Sequence, residues 1–225
     1  MNKKNTDVRS VVMYVIGMVL CPLGVAFAAK AGFGVSMIEA PVYVSYLHFG
    51  KTFSFLSFGT CEYILQALVI ILLCILIRKF RIKYLFSFVT AVIYGFILDS
   101  WLKLLGDGIY DGLSARIISC SASIIIIAFA VACFLRTSLP QEAWELFVKE
   151  LADRYKLNMT KVKWIYDFAS LAVGIILMLI FFRRFNTEAI GIGTVITTFI
   201  NAPIIGLFGK LIDKVWKTNK TTDTD

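Results

Sequence analysis

Six long apolar segments, separated by short polar ones, constrain the fold of this chain more than any other feature of its sequence. Two of them, residues 11–29 and 117–135, contain no charged side chain. A bilayer core about 30 Å thick is crossed by about 20 residues of α-helix, and lipid offers backbone groups no hydrogen-bond partner. The sequence therefore predicts an all-α, polytopic membrane protein with six transmembrane helices. The other four spans are predicted at residues 53–77, 84–102, 164–182 and 189–209.

The positive charges are distributed unevenly between the predicted loops. Of the 23 Lys and Arg residues, 17 lie in segments that are cytoplasmic if the N-terminus is inside, and 6 lie in the opposite segments. Because cytoplasmic loops are enriched in Lys and Arg, both termini are predicted in the cytoplasm and the protein in the cell membrane. The net charge of +8 is then a topology signal, and no nucleic-acid partner is predicted.

The two halves of the sequence resemble each other at a shift of 105 positions. Glu62 then aligns with Asp167, and Arg78 aligns with Arg183. Each half contains three spans, so the halves would cross the membrane in opposite directions, as in the inverted repeats of many secondary transporters. The predicted parts of this single membrane domain are repeat 1 at about 10–105, repeat 2 at about 114–216 and a polar cytoplasmic tail at 218–225.

A short segment follows the first span of each half. Ser36 precedes Glu39 by three residues, as Ser138 precedes Gln141, and this is the spacing of a helix-capping box. In the second segment the apolar side chains recur at helical spacing, which predicts an amphipathic helix on the cytoplasmic surface. The first segment is apolar almost all round. For both, an interfacial helix is favoured, and a re-entrant half-helix is the alternative.

Four stretches also carry a family resemblance: Gly34-Val35-Ser36, Leu139-Pro140-Gln141-Glu142, Lys161-Val162-Lys163 with Asp167, and Gly191-Ile192-Gly193-Thr194-Val195-Ile196. They resemble the YitT/YczE group of bacterial membrane proteins, and the resemblance extends over most of the chain. Because the sequence ends soon after the last span, without the soluble C-terminal domain of many YitT members, the chain is more similar to the YczE branch. The resemblance implies a six-span protein of the bacterial inner membrane and implies no particular activity.

Polar residues in or beside the predicted spans are the candidate binding residues. Burying a charged side chain at the bilayer centre costs about 2.5–3.5 kcal/mol on insertion scales, and such residues are usually functional. Glu62 and Asp167 come first, as repeat-related acids. The structural alternative pairs Glu62 with Lys51 and Asp167 with Lys163. The further candidates are Glu39, Asp99, Glu142, Thr194 and Asn201.

The sequence gives little support to an enzyme. Its single histidine, His48, lies in a predicted loop, and no HExxH, P-loop or GxSxG motif occurs. The five cysteines lack CxxC spacing, so neither a metal site nor a cofactor is predicted. We expect a transporter or permease for an unidentified small molecule or ion. The alternative is a non-catalytic binding or accessory subunit that acts with a partner protein, and homo-oligomerisation is left open.

Overall fold

The computed structural model describes residues 8–137, 139 and 142–222. In this part of the chain the backbone forms eight α-helices and no strand. Six of the helices are long and apolar enough to cross a membrane, which confirms the predicted all-α, six-span architecture. The helices are α1 (Val8–Ala31), α2 (Ala40–Phe49), α3 (Phe58–Ile77), α4 (Ile82–Leu104), α5 (Leu113–Phe134), α6 (Ala143–Tyr155), α7 (Met159–Phe182) and α8 (Ile192–Thr222).

The last helix continues beyond the segment that could cross a membrane. The candidate span is Ile192–Val215, and α8 continues to Thr222, so residues 218–222 of the predicted polar tail are helical. No Gly or Pro follows Gly209 in this helix, and without these residues nothing interrupts helix propagation. Residues 223–225 lie outside the described part of the chain.

α1 and α5 pack antiparallel to each other along their whole length. Near one end Ser10 hydrogen-bonds Thr137, and toward the other Ser119 donates to the carbonyl oxygen of Phe27. Much of the buried surface of both helices is glycine, alanine and serine, and such small residues let helix backbones approach closely in membranes. The first spans of the two predicted repeats therefore run in opposite directions, as an inverted repeat requires.

The short helix α6 does not lie across the end of the bundle. At its start Trp144 hydrogen-bonds Glu62 near the start of α3, and at its end Tyr155 hydrogen-bonds the Leu76 carbonyl oxygen near the end of α3. α6 thus runs beside α3 in the same direction and packs its apolar face on α3 and α7. The prediction of a surface helix is wrong, because an amphipathic pattern identifies an apolar face but not whether lipid or protein covers it.

α2 has the same relation to α7. Its start contacts the middle of α7, where a Cβ on Gly174 would come within 3.0 Å of Ala40. At its end, the His48 ring stacks on Phe181 with ring centroids 4.4 Å apart. α2 is therefore a half-helix inside the bundle, the alternative that the sequence left open.

The starts of the two half-helices are capped differently. The Ser36 hydroxyl accepts a hydrogen bond from the Glu39 amide at 3.4 Å, as the capping spacing predicts. At α6 the Ala143 amide donates instead to Gln66 Oε1 of α3 at 2.9 Å. The residues predicted to cap this second half-helix lie outside the described part of the chain: Ser138, Pro140 and Gln141.

The packing of the helices follows a two-fold pattern with a clear exception. α1 packs on α4 as α5 packs on α8, and α3 packs on α6 as α7 packs on α2. Arg78 and Arg183, which the repeat aligns, both have left-handed backbones (φ 53° and 52°) where α3 and α7 end. The exception is α8: α4 packs on α3 and on α6, whereas the described residues of α8 have almost no backbone contact with α7 or α2.

Candidate functional site

Three buried glutamates from three different elements meet inside the bundle. Glu39 immediately precedes α2, Glu142 immediately precedes α6, and Glu62 lies on α3. They are 6%, 9% and 0% exposed, respectively. Glu39 and Glu142 reach the interior because the half-helices α2 and α6 begin there, each directly after its glutamate. All three are candidates from the sequence, and we refer to them as the glutamate cluster.

Uncharged donors hold two of these carboxyl groups. Glu62 Oε1 accepts hydrogen bonds from Gln66 Nε2 and Trp144 Nε1, both at 2.8 Å. The same Gln66 nitrogen donates to Glu142 Oε2 at 3.3 Å. Among the described residues, no Lys, Arg or His forms an ion pair with the glutamate cluster. Lys51, the partner considered for Glu62, is exposed.

The carboxyl groups of Glu39 and Glu62 are both buried. An ionised carboxylate is only an acceptor, so a hydrogen bond between two members of the cluster requires a proton on one of them. Glu39 Oε2 and Glu62 Oε2 have no donor among the described residues. Burial without a neighbouring cation disfavours the charged form of a carboxyl group. The cluster therefore favours protonated carboxyl groups.

A cavity of about 440 Å³ extends from the glutamate cluster to the gap between α7 and α8. Glu39 and Glu142 line its wall together with Trp144, and Trp164 and Asn201 line it from α7 and α8. Small-molecule sites usually have volumes of about 300–1,000 Å³, so the cavity is large enough for a small solute.

Asp167 lies on the wall of the same cavity but has a cation beside it. Lys163 Nζ is 3.5 Å from Asp167 Oδ1 and 3.4 Å from Glu145 Oε1. This is the pairing that the sequence offered as the structural alternative for Asp167. Glu62 and Asp167 are aligned by the repeat, yet one is held by uncharged donors and the other by a lysine.

The wall contributed by α8 is polar. Asn201 Oδ1 has no donor among the described residues. Thr197 and Thr198 also line the cavity and donate their hydroxyl protons to the Thr194 carbonyl oxygen. The sequence analysis did not select these two threonines, although their spacing from Thr194, three and four residues, places them on one side of a helix.

Gln66 and Trp144 were also not selected from the sequence. The available signal was the single amide Gln66 in an otherwise apolar run, one helical turn after Glu62. Trp144 was assigned only to an apolar stripe, because its pattern does not show that its indole N–H reaches a carboxylate on another helix.

Two candidates, Asp99 and Thr194, lie outside the cavity and hold backbone. Asp99 Oδ1 accepts a hydrogen bond from the Gly59 amide at 2.8 Å, at the start of α3. Thr194 Oγ1 donates to the Val35 carbonyl oxygen at 2.6 Å, which joins the start of α8 to the segment before α2. Both side chains thus fix helix ends.

The arrangement is suited to binding and to proton exchange. Within the described residues, no group of three or more His, Cys, Asp or Glu side chains is placed to hold a metal ion. Ionisable side chains inside an apolar bundle commonly mark solute pathways or proton relays. The glutamate cluster provides carboxyl groups that can gain or lose protons beside a cavity of molecular size.

Residues 8–210 match the model of a family of unknown function, DUF6198. The chain is 25% identical over 205 residues to the uncharacterized protein YyaS of Bacillus subtilis strain 168, a match that covers 89% of this chain and 92% of that relative. No solved structure matches it. These matches do not address the YitT/YczE resemblance, which stays a prediction. Since the family match covers nearly the whole chain, the protein belongs to DUF6198, a family of unknown function.

Proposed function

We propose that the protein is a membrane transporter for a small solute, which binds in the cavity beside the glutamate cluster. The observation that carries this proposal is a cavity of molecular size inside six apolar spans, lined by Glu39 and Glu142 of the buried glutamate cluster. In this proposal the protein is not an enzyme, and the solute is released unchanged.

The two half-helices support a transport role. Transporters with repeated architecture often bind their solutes near the bilayer midplane, where broken or partial helices begin. Here Glu39 and Glu142 stand at the starts of α2 and α6, beside the cavity. The start of a helix offers free N–H groups and a partial positive charge. The half-helices therefore also help to hold the carboxyl groups of Glu39 and Glu142 at this position.

The packing difference between the halves supports access from one side at a time. The cavity reaches the gap between α7 and α8, whereas α3 and α4 are closed against each other. With the charge distribution as the guide to orientation, the gap opens on the cytoplasmic side, since Lys163 and Trp164 lie near the cytoplasmic start of α7. A second state with α3 and α4 apart would expose the site to the other side.

The test is transport by the purified protein alone in liposomes, measured with a panel of labelled amines, amino acids, sugars and carboxylates. We expect saturable uptake of at least one class. Ala202→Trp places a large ring in the cavity wall and should reduce that uptake to the level of empty liposomes. Leu207→Trp, on an exposed part of the same helix, is the matched control and should retain uptake.

The accessory-subunit alternative gives a different result. If the protein alone transports no member of the panel, and uptake in cells requires a second protein that co-purifies with it, the carrier proposal is wrong. Equal uptake by the Ala202→Trp and Leu207→Trp proteins would show that the solute does not pass through this cavity.

A further inference from the structure

The walls of the cavity carry more acidic than basic groups. Glu39, Glu142, Glu145 and Asp167 line it, and Lys163 is the only basic residue among the described residues that do so. Lys163 is already within 3.5 Å of Glu145 and Asp167. The described residues therefore leave no cation for the glutamate cluster.

A second observation shows that one of these acids has bonding capacity to spare. Glu39 is 94% buried, lines the cavity, and its Oε2 has no donor among the described residues. A buried carboxylate without a partner is unfavourable, so the atom is satisfied either by a proton or by a cationic ligand. Asn201 Oδ1, on the opposite wall, is a second acceptor without a donor in the described part of the chain.

Aromatic rings surround the same space. Tyr94, Phe134, Trp144 and Trp164 line the cavity. Ammonium groups are attracted to the faces of aromatic rings, most strongly to those of tryptophan. Carboxylates and aromatic rings together are the surroundings that an organic ammonium ion prefers, whereas an anionic solute would face unscreened acids.

We propose that the solute is a small organic ammonium ion, and that it binds in exchange for a proton held by the glutamate cluster. This inference rests on the proposed transport function and adds the substrate class and the coupled ion. Without a bound solute, the Glu39 carboxyl group carries the proton. When the ammonium ion binds, this proton leaves to solvent and the resulting carboxylate faces the cation, so the charge of the site is unchanged.

Several other titratable groups face Glu39 from the helices packed around it. They are Cys21 of α1, Tyr94 of α4, Glu142 and Glu145 at α6, and Lys163 and Asp167 of α7. The described lining residues of α5 and α8 carry no titratable side chain. Glu145 and Asp167 already have the Lys163 ammonium group beside them, so the exchanged proton is assigned to the glutamate cluster.

The test measures binding of two probes to the full-length protein in detergent, by calorimetry between pH 5 and 8. The probes are tetraethylammonium and propylammonium, both charged over this range, and 1-propanol is the uncharged control. Because each bound cation displaces one proton, the apparent Kd should rise about ten-fold for each unit of decrease in pH. The heat of binding should depend on the ionisation enthalpy of the buffer, since protons are released.

Two variants locate the proton. Glu39→Gln should weaken ammonium binding and flatten the dependence of Kd on pH, because the exchanged proton is lost with the carboxyl group. Asp111→Asn removes an exposed acid far from the cavity and should keep the wild-type dependence. Melting curves of both variants show that each protein is folded.

The outcomes separate this inference from the transport proposal. If neither ammonium probe binds, while an uncharged or anionic solute is transported in a manner blocked by Ala202→Trp, the transporter stands and the substrate class is wrong. Ammonium binding with no dependence on pH would overturn the exchange. If no solute of any class is transported, the proposed function fails regardless of the binding result.

Discussion

The α3–α4 pair and the α7–α8 pair are aligned by the sequence repeat, yet the first is closed and the second is open. In the first pair Gly59 faces Gly95, so closely that a Cβ on either would collide with the other backbone. The positions aligned with these glycines, at shifts of 105 and 104, are Trp164 and Phe199. The first half therefore has the small residues that close helix crossings require, and the second half has large rings instead.

This difference accounts for the single-sided cavity. Trp164 lines the space between α7 and α8, and Phe199 is 67% exposed. Because the substitutions of small by large residues fall in one half only, two segments with a common pattern produce one closed wall and one entrance. The repeat brings the two half-helices together at the glutamate cluster. The large side chains of the second half leave the gap between α7 and α8 through which a solute would reach this cluster.

The largest expected effect is a difference in chemical accessibility between equivalent positions on α4 and α8. Leu98 and Ala202 are aligned at a shift of 104; Leu98 is fully buried, and Ala202 lines the cavity. In a background without the native cysteines, Ala202→Cys should react with a charged maleimide at least roughly 100-fold faster than Leu98→Cys. A local opening that costs about 3 kcal/mol is enough for this ratio.

The same experiment tests the orientation. In sealed vesicles of known sidedness, the cysteine at 202 and cysteines placed at 156–161 should react only from the cytoplasmic side, and cysteines at 107–112 only from outside. Equal labelling at 98 and 202 would remove the contrast between the two helix pairs. Labelling of 107–112 from the cytoplasm would overturn the predicted topology.

The next effect is on stability, and it changes sign between the halves. Gly59→Ala places a methyl group against the Gly95 backbone and should lower the free energy of unfolding by about 1–3 kcal/mol, as overpacking usually does. Gly206→Ala has no atom within 4 Å of the new Cβ. It should raise the free energy of unfolding by roughly 0.5–1 kcal/mol, since alanine favours a helix over glycine.

Unfolding of both variants in detergent by denaturant, followed by circular dichroism, measures this difference. A Gly59→Ala protein as stable as the wild type would mean that α3 and α4 can separate at little cost. The α3–α4 pair would then be no harder to separate than the α7–α8 pair.

The architecture was largely predictable from the sequence, because length and hydropathy alone identify helices that must satisfy their own backbone in lipid. The repeat also led to useful pairs of residues, since Glu62 belongs to the glutamate cluster and Asp167 lines the cavity beside that cluster. The position of α6 was not predictable in this way. Its pattern fits a helix on lipid and a helix packed on α3 equally well, and only the tertiary contacts distinguish them.

The residues of the site were predictable only in part. An acid near an apolar run is a visible anomaly, which identified Glu39, Glu62 and Glu142. Whether an acid faces a cavity or caps a helix depends on rotation about the helix axis and on distant neighbours. Asp99, which holds the Gly59 amide, looks in the sequence much like the members of the glutamate cluster.

The smallest expected effect compares the two acids that the repeat aligns. Glu62→Gln should leave the free energy of unfolding unchanged or raise it, because no cation in the described part of the chain pairs with Glu62 and removing a buried charge relieves a desolvation cost. The new side-chain oxygen can still accept from Gln66 Nε2 and Trp144 Nε1. Asp167→Asn should lower it by about 0–1 kcal/mol, because Asp167 and Lys163 are 23% and 38% exposed and partly exposed pairs contribute little.

The reason for expecting opposite signs is that only one of the acids balances a positive charge. Without Asp167, Lys163 keeps Glu145 at 3.4 Å, so the loss stays small; the double variant Asp167→Asn/Glu145→Gln should cost more than the sum of the single changes. Melting temperatures of the single and double variants at pH 7 measure these effects. If Glu62→Gln melts well below Asp167→Asn, then Glu62 is a structural acid with a partner that depends on its charge, and the difference between the two halves of the site is lost.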